Sequence, residues 1–145
     1  GKWLTYEALR DWLPHSKKEI STNEGKTQGI LIETGVPLIA ISGTPGGLEM
    51  WHGAREMLPN ATFCIGCIPK KIPQNSGIIL FCDQIDSGEI VLEKLKVLQS
   101  QGFDSPRVRV ITSIASNDAS ILVGYERKDP SNFNFEDTLV KAFSM

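Results

Sequence analysis

Apolar positions along the chain follow two periods, one helical and one strand-like. In "KWLTYEALRDWL", residues 2 to 13, Trp3, Leu4, Ala8, Leu9 and Trp12 fall three to five apart. That spacing predicts an amphipathic helix stopped by Pro14. The polar stretch "HSKKEISTNEGKTQGILIE" predicts a hairpin turning near Asn23 to Gly25, with Ile30 to Ile32 on the returning strand and the "KKE" run on a solvated edge. Apolar runs at 36–41, 61–68, 78–82, 107–114 and 121–125 predict strands, and helices are predicted at 47–58 and 88–101. Val91, Leu92, Leu95 and Leu98 line one stripe of the second helix, and Gly102 ends it. Strands alternating with helices call for a parallel sheet with right-handed crossovers. The predicted class is therefore α/β: a Rossmann-like, mostly parallel sheet flanked by helices, preceded by a helix and a small hairpin. All 145 residues are read as a single domain.

Composition narrows this picture. Apolar residues make up 41% and charged residues 22%, which suits a folded globular chain. A net charge of −2 gives no basis for a nucleic-acid partner, and no apolar run approaches the roughly 20 residues of a membrane span. The chain opens on Gly1 rather than Met, so an upstream piece is expected to be missing. Three cysteines, an odd number, point to a reducing compartment. Cys64 and Cys67 form C-I-G-C, but "ATFCIGCIP" reads as a buried strand. Core packing is favoured there over zinc, because only Cys82, His15 and His52 remain as further ligands.

Two loops fall at the carboxyl ends of predicted strands, where ligands of α/β sheets bind. "SGTPGG" offers backbone N–H groups at Gly43, Thr44, Gly46 and Gly47, with the hydroxyls of Ser42 and Thr44, beside a helix start. A tight turn that simply needs glycine is the alternative. "DQIDSGE" carries Asp83, Asp86, Ser87 and Gly88. Ser42, His52 and Asp83 include the residue types of a hydrolase triad, but no G-x-S-x-G elbow is present. "GTPGG" lacks the G-K-[ST] ending of a P-loop.

Three stretches, "GKWLTYEALRDWLP", "VPLIAISGTPGGLEMWHGAREMLPNA" and "IILFCDQIDSGEIVLEKLKVLQSQG", resemble the uracil phosphoribosyltransferase family, closest to versions from photosynthetic lineages. The resemblance implies a phosphoribosyltransferase fold, transfer of phosphoribose to uracil from phosphoribosyl diphosphate, and magnesium as cofactor. It also implies that the N-terminal part of the family fold is absent here. The family's first loop, P-I-L-R-A-G-L, places an arginine on the diphosphate, and Pro45 stands at that position. Proline has neither charge nor N–H. The second loop, acidic-acidic-x-x-x-T-G-G-T, holds ribose and 5′-phosphate. Asp83, Ser87 and Gly88 match it, whereas Cys82, Glu89 and Ile90 replace an acid, a glycine and a hydroxyl residue. A carboxylate about 4 Å from a phosphate repels it by roughly 1 to 4 kcal/mol per unit charge. The family's late base-reading segment, I-V-P-G-L-G-D-A-G-D-R, has no glycine-bearing counterpart in "SNFNFEDTLVKAFSM", where Asp137 is the nearest acid. The arm "PKKIPQNSG" and the stretch "SNDA" read as shortened.

The combined reading is a non-catalytic member of the family acting as a structural or interaction subunit. No catalytic residue, metal or cofactor is assigned, with Mg²⁺ required only if activity is retained. The vestigial loops are Ser42, Gly43, Thr44, Gly46 and Gly47, and Asp83, Asp86, Ser87 and Gly88. A nucleotide- or phosphate-sensing module and an active enzyme, with Asp83 and Asp86 holding magnesium and ribose, are the alternatives. Protein partners are expected and a homodimer is open to the family. Trp3, Trp12, Phe133 and Phe135 are candidate anchors, although helical spacing assigns Trp3 and Trp12 to the core. The expected compartment is a plastid stroma or a bacterial cytoplasm.

Overall fold

In the computed structural model, residues 1–116 are described. Helix α1 spans Lys2–Leu9, strands β1 and β2 span His15–Thr22 and Gly25–Ile32, and β3 spans Leu38–Ser42. Helix α2 covers Gly47–Ala54, β4 Thr62–Cys64, β5 Gly77–Ile85, α3 Glu89–Ser100 and β6 Val108–Ala115. Strands β3 to β6 form one parallel sheet in the order β4-β3-β5-β6. The α/β class, the N-terminal helix and the hairpin therefore stand.

The strand order explains the near-continuous apolar runs. Strands β3 and β5 are central and covered on both faces, so consecutive residues of each are buried. On one face Ile39, Ile41, Ile78, Leu80 and Val110 pack with Val91 and Leu98 of α3. On the other, Ala40, Ile79, Phe81 and Ile111 pack with Leu9 of α1 and Met50 and Ala54 of α2. Trp51 stacks on Phe63 at 4.9 Å and meets Phe81 edge-on at 5.9 Å. Such aromatic pairs add about 0.5–1.5 kcal/mol beyond their buried area. Trp12 donates its indole N–H to the Pro106 carbonyl at 2.7 Å and lies 5.7 Å from the Arg109 guanidinium, tying the end of the α1 segment to β6.

Several boundaries differ from the periodicity. Regular helix α1 ends at Leu9, and a turn closed by Leu13 N–H on the Leu9 carbonyl (3.0 Å) leads to Pro14. Helix α2 ends at Ala54, and its apolar continuation, Met57 and Leu58, packs from turns. Strand β4 is three residues long and stops at Cys64. Cys64 is half-buried and Cys67 exposed, which corrects the buried-strand reading of the C-I-G-C stretch. Trp3 is 73% exposed, so its core assignment is corrected too. The helix buries only the Thr5–Leu9 side, and Trp3 lies off it. Trp12 is partly buried against the α1/α2 cluster, as its spacing predicted. The hairpin turns at Asn23 and Glu24, with Ile30 and Ile32 outside the core. The strand predicted at 121–125, together with Asp137, Phe133 and Phe135, lies outside the described residues.

Phe81 is fully buried where α2, β3 and β5 meet. Phe81→Ala is expected to cost about 3–5 kcal/mol, read as a lowered urea midpoint.

Candidate functional site

The order β4-β3-β5-β6 sends the chain from β3 to one side and from β5 to the other. The carboxyl ends of β3 and β5 therefore flank the switch-point crevice where α/β sheets bind ligands. The SGTPGG turn lies at the end of β3, and Asp83 to Gly88 at the end of β5. Both loops singled out in the sequence thus meet at one place.

Their meeting is a closed hydrogen-bond set. The Thr44 hydroxyl donates to Asp83 Oδ1, and the Asp83 backbone N–H donates back to Thr44 Oγ1 at 3.1 Å. The Gly46 N–H also points at the Asp83 carboxylate. A Cβ at Gly46 would collide with that carboxylate, which shows how tightly the turn wraps it. The Asp83 carboxyl is accordingly held below the usual carboxylate range. The Thr44 hydroxyl is the main cause, partial desolvation opposes it, and the backbone N–H groups of Gln84, Asp83 and Gly46 assist.

Further donors of the turn are also spent. Gly43 N–H reaches the Phe81 carbonyl at 2.7 Å, and Gly47 N–H the Thr44 carbonyl at 3.0 Å. The Ser42 hydroxyl donates to the Thr44 carbonyl at 2.5 Å. Three of the four N–H groups expected to cradle an anion, those of Gly43, Gly46 and Gly47, thus have partners inside the protein. Gly47 must be glycine here, since a Cβ would strike the Phe81 carbonyl, a backbone atom that cannot swing aside.

The second loop is less of a loop than predicted. β5 runs on through Ile85 because β6 keeps pairing with it to Ala115, so Asp83 sits within a strand. Ser113 donates to the Asp83 carbonyl and Ser116 to the Asp86 carbonyl. These two hydroxyls escaped sequence reasoning, although "TSIAS" on a strand parallel to β5 was the available signal. Asp86 and Ser87 are exposed, and Gly88, at φ 80°, caps α3. Glu89 occupies the first turn of α3 and Glu49 that of α2, each a carboxylate at the positive end of a helix. Cys82 is buried beneath the turn, and burial pushes its thiol up to about 12 with Asp83 adding to the rise and Lys94 opposing it.

No triad forms. Ser42 is engaged with Thr44, and His52 Nδ1 lies 3.6 Å from Glu49 instead. No group of three or more His, Cys, Asp or Glu side chains among the described residues could hold a metal ion. Magnesium does not fit the loop as it stands, because Asp83 is turned into the SGTPGG turn.

Comparison with known proteins places this geometry. Uracil phosphoribosyltransferase of Synechococcus elongatus is 25% identical over 132 aligned residues, covering 80% of this chain and 61% of that protein. The chloroplastic enzyme of Arabidopsis thaliana is 25% identical over 80% of this chain and 45% of its own length. The chain is a divergent relative of the uracil phosphoribosyltransferases. A uracil phosphoribosyltransferase homolog of Porphyra purpurea is 32% identical over 87 residues, covering 39% of that protein. No family model matches. The AQ2163 protein of Aquifex aeolicus superposes with a TM-score of 0.64 over 99% of this chain and 81% of its own, at 16% identity, and so shares the fold. The chain spans about 61% of the length of its cyanobacterial relatives. Against the phosphoribosyltransferase loops, Pro45 and Glu89 are both exposed at the crevice.

Thr44→Val removes both bonds to Asp83. A loss of about 1 kcal/mol is expected at neutral pH, discounted because Asp83 retains solvent contact. A depressed carboxyl stabilises the fold above its ordinary value, near 4, and that contribution fades as pH falls through the depressed one. Urea midpoints should therefore drop less between pH 7 and pH 3 in Thr44→Val than in the parent chain.

Proposed function

We propose that this chain is a uracil phosphoribosyltransferase-like protein that no longer transfers phosphoribose and works as a structural or interaction subunit of a larger assembly. One observation carries the reading: the Asp83 carboxylate sits in the SGTPGG turn and takes the Thr44 hydroxyl and Gly46 N–H that an incoming diphosphate would need. Pro45 stands where the family has its arginine, so that position supplies no cation to offset the acidic Asp83, Asp86 and Glu89. Phosphoribosyl diphosphate would have to evict a well-bonded carboxylate and then lie among like charges. Neither magnesium nor another cofactor is needed for such a role.

Contact with protein is favoured by the opposite end of the molecule. Ile30 and Ile32 of the hairpin line a groove of about 550 Å³ that also takes in Tyr6, Leu9 and Met57, and Trp3 of α1 is 73% exposed. Homodimerisation remains a family trait that this surface could serve. No helix among the described residues is long and apolar enough to cross a membrane. The chloroplastic description of the Arabidopsis relative favours a plastid stroma, and the cyanobacterial relatives a bacterial cytoplasm.

A second reading, retained uracil phosphoribosyltransferase activity, is favoured by the enzyme names of the relatives. A radiolabelled uracil-to-UMP assay with phosphoribosyl diphosphate and Mg²⁺ separates the two. No turnover is expected where the Synechococcus elongatus enzyme turns over, and titration calorimetry should give no heat with the donor, pyrophosphate or UMP. Turnover restores the enzyme reading, and binding without turnover makes the chain a sensor.

A further inference from the structure

The C-I-G-C stretch is absorbed by neither the core nor the candidate site. Strand β4 ends at Cys64, and the chain then bends sharply over residues 65–67. Cys67 N–H reaches the Ile65 carbonyl at 2.8 Å across Gly66, whose φ of 70° makes this a γ-turn. That left-handed conformation is strained for any residue with a side chain, so the turn depends on glycine. Lys94 of α3 anchors it from below, its ammonium donating to the Gly66 carbonyl at 2.9 Å. Along an extended strand the two thiols would point apart; here a tight turn rather than a strand separates them. Cys67 is exposed, whereas Cys64 is half-buried against the core cluster beneath α3, so one thiol is open to solvent and the other is partly shielded. Burial raises the Cys64 thiol, and the nearby Cys67 adds to the rise.

We propose that Cys64 and Cys67 form a reversible intramolecular disulfide, making the β4 turn a thiol-oxidation site. The co-reactant is a disulfide, either a small one or that of a dithiol oxidoreductase. The Cys67 thiolate attacks one of its sulfurs, forming a mixed disulfide and releasing one thiol. The Cys64 thiol then loses its proton and attacks the Cys67 sulfur, closing the Cys64–Cys67 bond and releasing the second thiol. Two protein thiols are oxidised and one disulfide is reduced to two thiols. Cys82 takes no part, because it is fully buried and its thiol titrates far above neutral pH. No helix begins at this C-x-x-C, so its thiolates lack the dipole that activates catalytic dithiols. The site is therefore slow to react and suited to sensing or stabilisation rather than turnover. In the parallel ladder Cys64 pairs with Ile41, the residue before Ser42. Closing the bond therefore stiffens the sheet edge next to the SGTPGG turn.

The chain is to be equilibrated in glutathione buffers of graded glutathione disulfide content, denatured in acid, alkylated with N-ethylmaleimide and weighed intact. Reduced chain should carry three maleimides. Oxidised chain should carry one, on Cys82, and peptide mapping should find Cys64 joined to Cys67. Dithiothreitol should restore all three. Cys64→Ser should stop at a glutathione adduct on Cys67, and Cys82→Ser should oxidise like the parent. Three maleimides in every buffer, a stable glutathione adduct in the parent chain, or a bridge to Cys82 or between two chains would each overturn the proposal.

Discussion

Where β3 and β5 part company, a threonine hydroxyl and an aspartate hold the two strand ends together, and the shape of the crevice follows from that contact. A parallel sheet in the order β4-β3-β5-β6 must open at this point, because its crossovers leave in opposite directions. It must also present helix N-termini there, with unpaired N–H groups that call for negative charge. Here the protein meets that call from within. Asp83 fills the SGTPGG turn, while Glu49 and Glu89 sit in the first turns of α2 and α3.

That internal satisfaction changes the energetics of any anionic ligand. Each internal bond surrendered to a ligand must be replaced, so the ligand's contacts add little net free energy. Charge adds a second barrier. A carboxylate about 4 Å from a phosphate opposes it by roughly 1 to 4 kcal/mol. Lys94 of α3, whose ammonium donates to the Gly66 carbonyl, opposes part of this charge from beneath the turn. Pro45 cannot compensate. The two effects reinforce each other and arise from different residues, so reversing one leaves the other in place.

The fold was legible in the sequence where burial dictates pattern, and the site was legible only as a list of residues. Ile78 to Cys82 had to be a central strand, and Val91 to Leu98 an amphipathic helix, because nothing else buries those runs. Boundaries failed where a turn rather than a regular element packs the apolar residues, as with Met57 and Leu58. Trp3 misled because helical spacing cannot say which side of a short helix faces the core. The pairing of Thr44 with Asp83, 39 residues apart, could not be read at all, since it depends on which strand lies beside which. Asp83 looked like a loop acid free for ribose, whereas the continuing β5–β6 ladder holds it in a strand and turns it toward β3.

The persistence of the fold beside an altered crevice has a mechanical cause. Stability resides in two apolar layers, one under α3 and one under α1 and α2, that involve few residues of either loop. A core residue such as Phe81 carries several kcal/mol, while a partly exposed loop bond such as Thr44 to Asp83 carries about one. Loop positions can therefore change without unfolding the sheet, provided the backbone constraints survive. Those constraints are local. Gly47 must lie flat against the Phe81 carbonyl, and Gly88 must open α3 at φ 80°. Both glycines are present, whereas Pro45 and Glu89, which answer to ligand chemistry rather than to backbone geometry, are among the residues that differ from the family loops the sequence resembles. The proposed loss of phosphoribosyl transfer thus requires no change in what the chain needs in order to fold.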